Sequence, residues 1–105
     1  MIDAARLLMF RDLGEAFATA ARGEPISVEV RLRNRRDQAF CVRLLVQAID
    51  LLFLAAGGQG LFLDHPLQRS WRDAHAASSH ISLNWDSTGS MYGQFMLGLE
   101  PKGQY

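Results

Sequence analysis

An all-α fold, a helical bundle of three to four helices, is what the sequence predicts, on three observations. Apolar residues recur at three- and four-residue intervals, glycine and proline clusters separate the periodic segments, and no alternating run is long enough to require a strand. The chain has 105 residues, of which 49% are hydrophobic and 21% charged. That is one domain's length and the balance of a folded chain.

Asp3 can cap a first helix running from about Asp3 to Arg22, with Leu7, Phe10, Leu13, Phe17 and Ala21 as its apolar positions. Gly23-Glu24-Pro25 breaks it, and Ser27 offers an N-cap for a second helix that reaches about Ala56. From Phe40 to Ala56 the only polar residues besides small ones are Arg43, Gln47 and Asp50, so this half is predicted to be buried on most sides as the centre of the core. Gly57-Gly58 stops the helix.

Pro66 can open a third helix, predicted over about Pro66 to Asp86. Leu67, Trp71, Ala74, Ser78, Ile81 and Trp85 share one stripe at 100° per residue, the face expected to pack on the core. Ser87-Thr88-Gly89 then reads as a break before a fourth, shorter segment carrying Met91, Tyr92, Phe95, Met96 and Leu99. The tail EPKGQY has no helical signal.

Eleven basic side chains balance eleven acidic ones, so no overall field draws the chain to nucleic acid or to an anionic membrane. No uninterrupted apolar run reaches the length needed to cross a bilayer. The N-terminus lacks the pattern of a targeting peptide. A single cysteine, Cys41, in an apolar stretch fits a buried, inert thiol and a cytoplasmic setting. The partners left are protein or small molecule.

His80 is the residue with most chemical potential. On the predicted third helix it lies opposite the tryptophan stripe, on a face shared with Arg69, Asp73, Ala76 and Ala77. Small side chains there leave either a solvated face, with Arg69 and Asp73 paired at i,i+4, or room for a ligand beside a titratable imidazole. Periodicity does not choose between these. His65, His75 and His80 lack the spacing of a zinc site, so no metal is expected. Arg31, Arg33, Arg35 and Arg36 spread around the helical wheel and read as a solvated face. The Gly57-Gly58-x-Gly60 run follows a helix and leads into a loop, unlike a phosphate-binding turn.

AARLL at Ala4–Leu8, GGxG at Gly57–Gly60 and DxPLQRxWRDA at Asp64–Ala74 together resemble the C-terminal helical domain of the acyl-CoA dehydrogenase superfamily. The resemblance covers almost the whole chain and implies that residues 1–105 form that helical domain. Relatives of this kind also carry an N-terminal helical domain and a middle β-barrel that hold most of the flavin site. On this resemblance the chain is a fragment, inactive alone, from a truncated gene or one part of a split protein.

The dehydrogenases have a catalytic glutamate in a Tyr-Glu-Gly-Thr-like segment shortly after the Arg-Asp pair. Aligned on Arg72-Asp73-Ala74, this chain has His80-Ile81-Ser82-Leu83 there, so the carboxylate base is missing. WRDAHAASSHISLNWD and MYGQFMLGLEPKGQY are instead similar to the C-terminus of the two-component flavin-dependent monooxygenases. This resemblance implies a reductase partner that supplies reduced flavin, an aromatic, phenolic substrate hydroxylated with O2, and His80 as the catalytic residue. A neutral imidazole would take the phenolic proton, or an imidazolium would stabilise a peroxide.

The resemblance further implies that Gly57 and Gly58 contact the cofactor, often across a subunit boundary in a homo-oligomer. Leu54 stands where the dehydrogenases have glutamine, which favours reduced FMN over FAD. Two other readings stay open: a non-enzymatic helical association module or gene remnant, and an acyl-CoA dehydrogenase-like fragment.

Overall fold

The computed structural model describes all residues from Met1 to Tyr105. Four helices follow in chain order, α1 (Ile2–Ala21), α2 (Val28–Ala55), α3 (Pro66–Ser78) and α4 (Trp85–Met96), with 3-10 turns at Gly57–Leu61 and Ile81–Leu83. There are no strands, as expected. The other three helices each pack on α2.

Ser27 caps α2 as predicted, its side chain accepting from the Val30 amide at 3.3 Å. Asp3 does not cap α1. The helix starts one residue earlier behind Met1, with no side-chain cap, and Asp3 sits in the first turn, where a carboxylate complements the helix dipole. Gly23, at φ +71°, ends α1 in the left-handed region.

The body is a slab of 50 × 29 × 18 Å with a radius of gyration of 16.7 Å, against about 13 Å for a compact domain of this length. Only ten residues are buried, among them Ala5, Leu32, Ala39, Cys41, Ala48 and Met91. The predicted burial of the second half of α2 on most sides is therefore corrected: Leu51, Leu52 and Leu54 are exposed. Three helices laid on α2 cover only part of its circumference, and its apolar C-terminal half exceeds what they reach.

On α1 the face turned to α2 carries Ala5, Leu8, Asp12, Ala16 and Thr19, while Leu7 and Phe17 are exposed away from it and Phe10 and Leu13, also exposed, flank it on a groove shared with Leu45 of α2. Charge explains this orientation. Arg11 bridges Asp12, at 2.7 Å, and Asp37 of α2, at 2.6 Å. Arg36 also holds Asp37, at 2.6 Å, and lies 4.1 Å from the centre of the Tyr92 ring of α4. Arg33 pairs with Glu15 and reaches Asp12 at 3.8 Å. The expected solvated arginine face is thus corrected: Arg33 and Arg36 lie in the helix interfaces. Hydrogen bonding to Asp12 holds the Arg11 guanidinium more firmly protonated than usual, although partial burial opposes it, and both carboxylates add attraction.

Cys41 is buried and its thiol donates to the Ala5 carbonyl at 3.3 Å. Burial pushes the thiol pKa up, with the charges of Asp37 and Asp12 adding to it, the condition of an inert cysteine. Residues of α2 do contain an 18-residue window of mean hydropathy 1.7, long and apolar enough by composition to cross a membrane. Counting uninterrupted apolar residues misses it because Arg43 and Asp50 interrupt the run. In this fold the helix is the hub on which the others pack.

Candidate functional site

Pro66 occupies the first turn of α3, and His65 caps it through Nδ1, which accepts from the Leu67 amide at 3.3 Å. The predicted inner stripe of α3 holds through Leu67, Trp71, Ala74 and Ser78, all half-buried. Beyond that point the prediction fails. The helix stops at Ser78 instead of reaching Asp86.

Two serines end it. Ser78 Oγ donates to the His75 carbonyl at 2.9 Å and Ser79 Oγ to the Ala76 carbonyl at 2.7 Å, local bonds that compete with a further turn. The chain turns out through His80 into the Ile81–Leu83 turn, and Asn84 caps α4 by accepting from the Ser87 amide at 3.0 Å. Ile81, assigned to the core by periodicity, is 74% exposed. Ser87-Thr88-Gly89 is no break but lies within the first two turns of α4. Thr88 is buried there, donating to the Asn84 carbonyl at 3.0 Å, and Trp85 packs on Phe40 with ring centres 5.5 Å apart.

His80 therefore occupies the α3–α4 junction rather than a helix face. It is exposed, and its Nδ1 faces Ser82, 3.2 Å from the amide and 2.6 Å from Oγ. Arg69 and Asp73, expected on the same face, are a solvated i,i+4 pair at 3.6 Å elsewhere on α3. Beside this junction an open cleft of about 420 Å³ lies between α2 and the start of α4, lined by Val42, Val46, Leu83 and Trp85 with Arg43 and Asp86. His80 does not line it.

Gly57 and Gly58 lie at the other end of α3. Gly57 has φ +61°, and a Cβ added to either glycine would meet open space, so their backbone is approachable by a ligand. Gly60 is buried beneath them against Phe53. The thirteen residues of α3 set this turn about 20 Å from His80 at 1.5 Å per residue. One small ring cannot touch both in a single chain.

A cluster that sequence reasoning did not single out ties α2 to α3. Asp50 Oδ1 accepts from Trp71 Nε1 at 2.7 Å and contacts His75 Nε2 at 2.8 Å. Trp71 also stacks on Phe53 with ring centres 4.9 Å apart. The available signal was a lone carboxylate in an apolar run, with Trp71 and His75 one helical turn apart on the partner helix.

The hydrogen bond from His75, with that of Trp71, holds the Asp50 carboxyl below its ordinary value despite some desolvation. A depressed carboxylate stabilises the fold above its unfolded pKa, near 4, and loses that contribution as pH falls through the lower folded value. Urea midpoints measured from neutral to acid pH are expected to fall less steeply for Asp50→Asn than for the native chain over that window. Parallel curves would show that the cluster contributes nothing to acid sensitivity.

Comparison with known proteins places this architecture. The family model of the acyl-CoA dehydrogenase C-terminal domain matches residues 1–85. The oxygenase component of an FADH2-dependent resorcinol hydroxylase from Rhizobium sp. (strain MTP-10005) is 50% identical over 99% of this chain, which covers 26% of that protein. The crystal structure of 3-HSA hydroxylase from Rhodococcus sp. RHA1 superposes with a TM-score of 0.89 at 36% identity, covering 96% of this chain and 26% of that one. XiaF from Streptomyces sp., solved with FADH2 and glycerol, gives 0.91 at 32% identity over 97% of this chain and 26% of that one. The chain thus spans about a quarter of the length of these relatives. It belongs to the acyl-CoA dehydrogenase C-terminal domain family, among relatives that are the oxygenase components of flavin-dependent hydroxylases.

Proposed function

We propose that this chain is the C-terminal helical part of an oxygenase component that hydroxylates a phenolic aromatic substrate with reduced flavin and O2. The observation that carries this reading is an exposed histidine at the α3–α4 junction in a chain half identical to a resorcinol hydroxylase component. No carboxylate stands in the His80–Leu83 segment for α-proton removal, which tells against acyl-CoA dehydrogenation.

Gly57 and Gly58 would offer open backbone to the cofactor, and His80 would touch the reacting oxygen. Reduced flavin, when bound, supplies the electrons that activate O2. The separation of about 20 Å along α3 favours an extended dinucleotide, or contributions from two copies of the chain, over FMN held within one copy. The names of the resorcinol hydroxylase and XiaF, both referring to FADH2, support FAD in place of the FMN suggested by Leu54. The reading carries with it a reductase partner, a cytoplasmic setting and a homo-oligomer. Support for association comes from the outward Leu7, Phe10 and Phe17 of α1, each more than half exposed.

Anaerobic titration of the 105-residue chain with reduced FAD and reduced FMN tests the site. Weak but saturable binding of reduced FAD, reduced by Gly58→Val, is the expected result. Absence of saturable binding by either flavin, with a dimeric or larger mass in solution, would favour the non-enzymatic association module.

A further inference from the structure

The two ring nitrogens of His80 have unequal surroundings. Nδ1 is 3.2 Å from the Ser82 amide nitrogen and 2.6 Å from Ser82 Oγ, whereas Nε2 has no hydrogen-bond partner in the chain. A backbone N–H is a donor and nothing else, so a proton on Nδ1 would meet the amide proton head-on. The neutral ring therefore keeps its lone pair on Nδ1, with the Ser82 hydroxyl as a second donor to it, and carries its proton on Nε2.

The turn that creates this geometry is local. The Leu83 amide donates to the His80 carbonyl at 2.9 Å, closing the Ile81–Leu83 turn and holding residue 82 against the ring. A histidine-x-serine sequence at a 3-10 N-terminus thus engages one nitrogen and frees the other.

We propose that Ser82 is a positioning residue that fixes the tautomer of His80, giving the flavin-dependent site proposed above a hydrogen-bond donor at Nε2 in place of a base. The inference rests on that reading for its consequence, since a donor stabilises negative charge on a reacting oxygen whereas a base withdraws a phenolic proton. The lone pair that could accept a proton is turned inward to Ser82 and already holds two donors.

The test needs no flavin. In the 15N-labelled chain in alkaline buffer, where an ordinary imidazole is neutral, long-range 1H–15N correlation reports which ring nitrogen is protonated. His80→Gln assigns the signals. His80 is expected to show an unprotonated Nδ1 and a protonated Nε2. Ser82→Ala should shift the Nδ1 resonance toward that of a free, unbonded ring nitrogen, and Ser82→Thr should return it.

His65 caps α3 through the same ring nitrogen, 3.3 Å from the Leu67 amide, without a hydroxyl at position 67. Its signals should stay in place in both variants, which separates the effect from a loss of fold. A protonated Nδ1 in the native chain, or an Nδ1 resonance unmoved by Ser82→Ala, overturns the proposal. Failure of flavin to bind would instead overturn the functional reading and leave the tautomer result intact, so the two failures are distinguishable.

Discussion

Asp37→Ala is expected to destabilise the chain by about 2–3 kcal/mol, read as a lower urea midpoint at an unchanged m value. The Asp37 side chain is only 4% exposed and accepts from Arg11 and from Arg36, one from each of the first two helices. Removing it leaves two guanidinium groups in the helix interfaces with part of their counter-charge gone. Truncating one partner of a fully buried pair costs about 3–5 kcal/mol. The loss at Asp37 is smaller because Arg11 and Arg36 keep 45% and 28% of their side-chain surface in water.

Arg11→Ala should cost less, since the carboxylates retain Arg33 and Arg36. A double-mutant cycle between Arg11 and Asp37 should return a coupling above about 0.5 kcal/mol. Additive single effects would mean that the network is solvated and does not orient α1.

Leu32→Ala should cost about 3 kcal/mol, within the range for large-to-small changes in rigid cores. Leu32 is fully buried and the largest such side chain in the chain. The matching control is Phe17→Ala. Phenylalanine is the larger residue, yet at 74% exposure its loss should change stability by no more than about 0.5 kcal/mol. Equal effects from the two substitutions would contradict the orientation of α1 described above.

That orientation shows where sequence reasoning reached its limit. The period of Leu7, Phe10, Leu13 and Phe17 correctly announced a helix, because spacing records local geometry. Which face turns inward was decided by Asp12 and Asp37, buried in an arginine network between helices far apart in sequence. Periodicity does not contain such partners. Capping was more legible: Ser27, the Gly23 stop and the Pro66 start all act within one turn of their own position.

The α3–α4 junction went unread for a related reason. From Pro66 to Trp85 the inner stripe, Ser78 included, keeps helical spacing and predicts one continuous α3, whereas the side-chain hydrogen bonds by which Ser78 and Ser79 stop the helix and Asn84 caps α4 leave no trace in that spacing. Recognising them would have moved His80 from a helix face to a turn and exposed its relation to Ser82. The glycine turn was located correctly from sequence. Its distance from His80 follows only once the true length of α3 is known.

The hub position of α2 bears on how the molecule breathes. Because α1, α3 and α4 each lean on α2 more than on one another, a helix can detach and leave the remaining pairs in contact. Opening should be graded, with amide exchange slowest along the middle of α2 and faster in the outer helices, each with its own protection free energy. A chain arranged in this way is a set of semi-independent foldons sharing one spine, and a ligand gripping both ends of α3 would slow the exchange of that helix first.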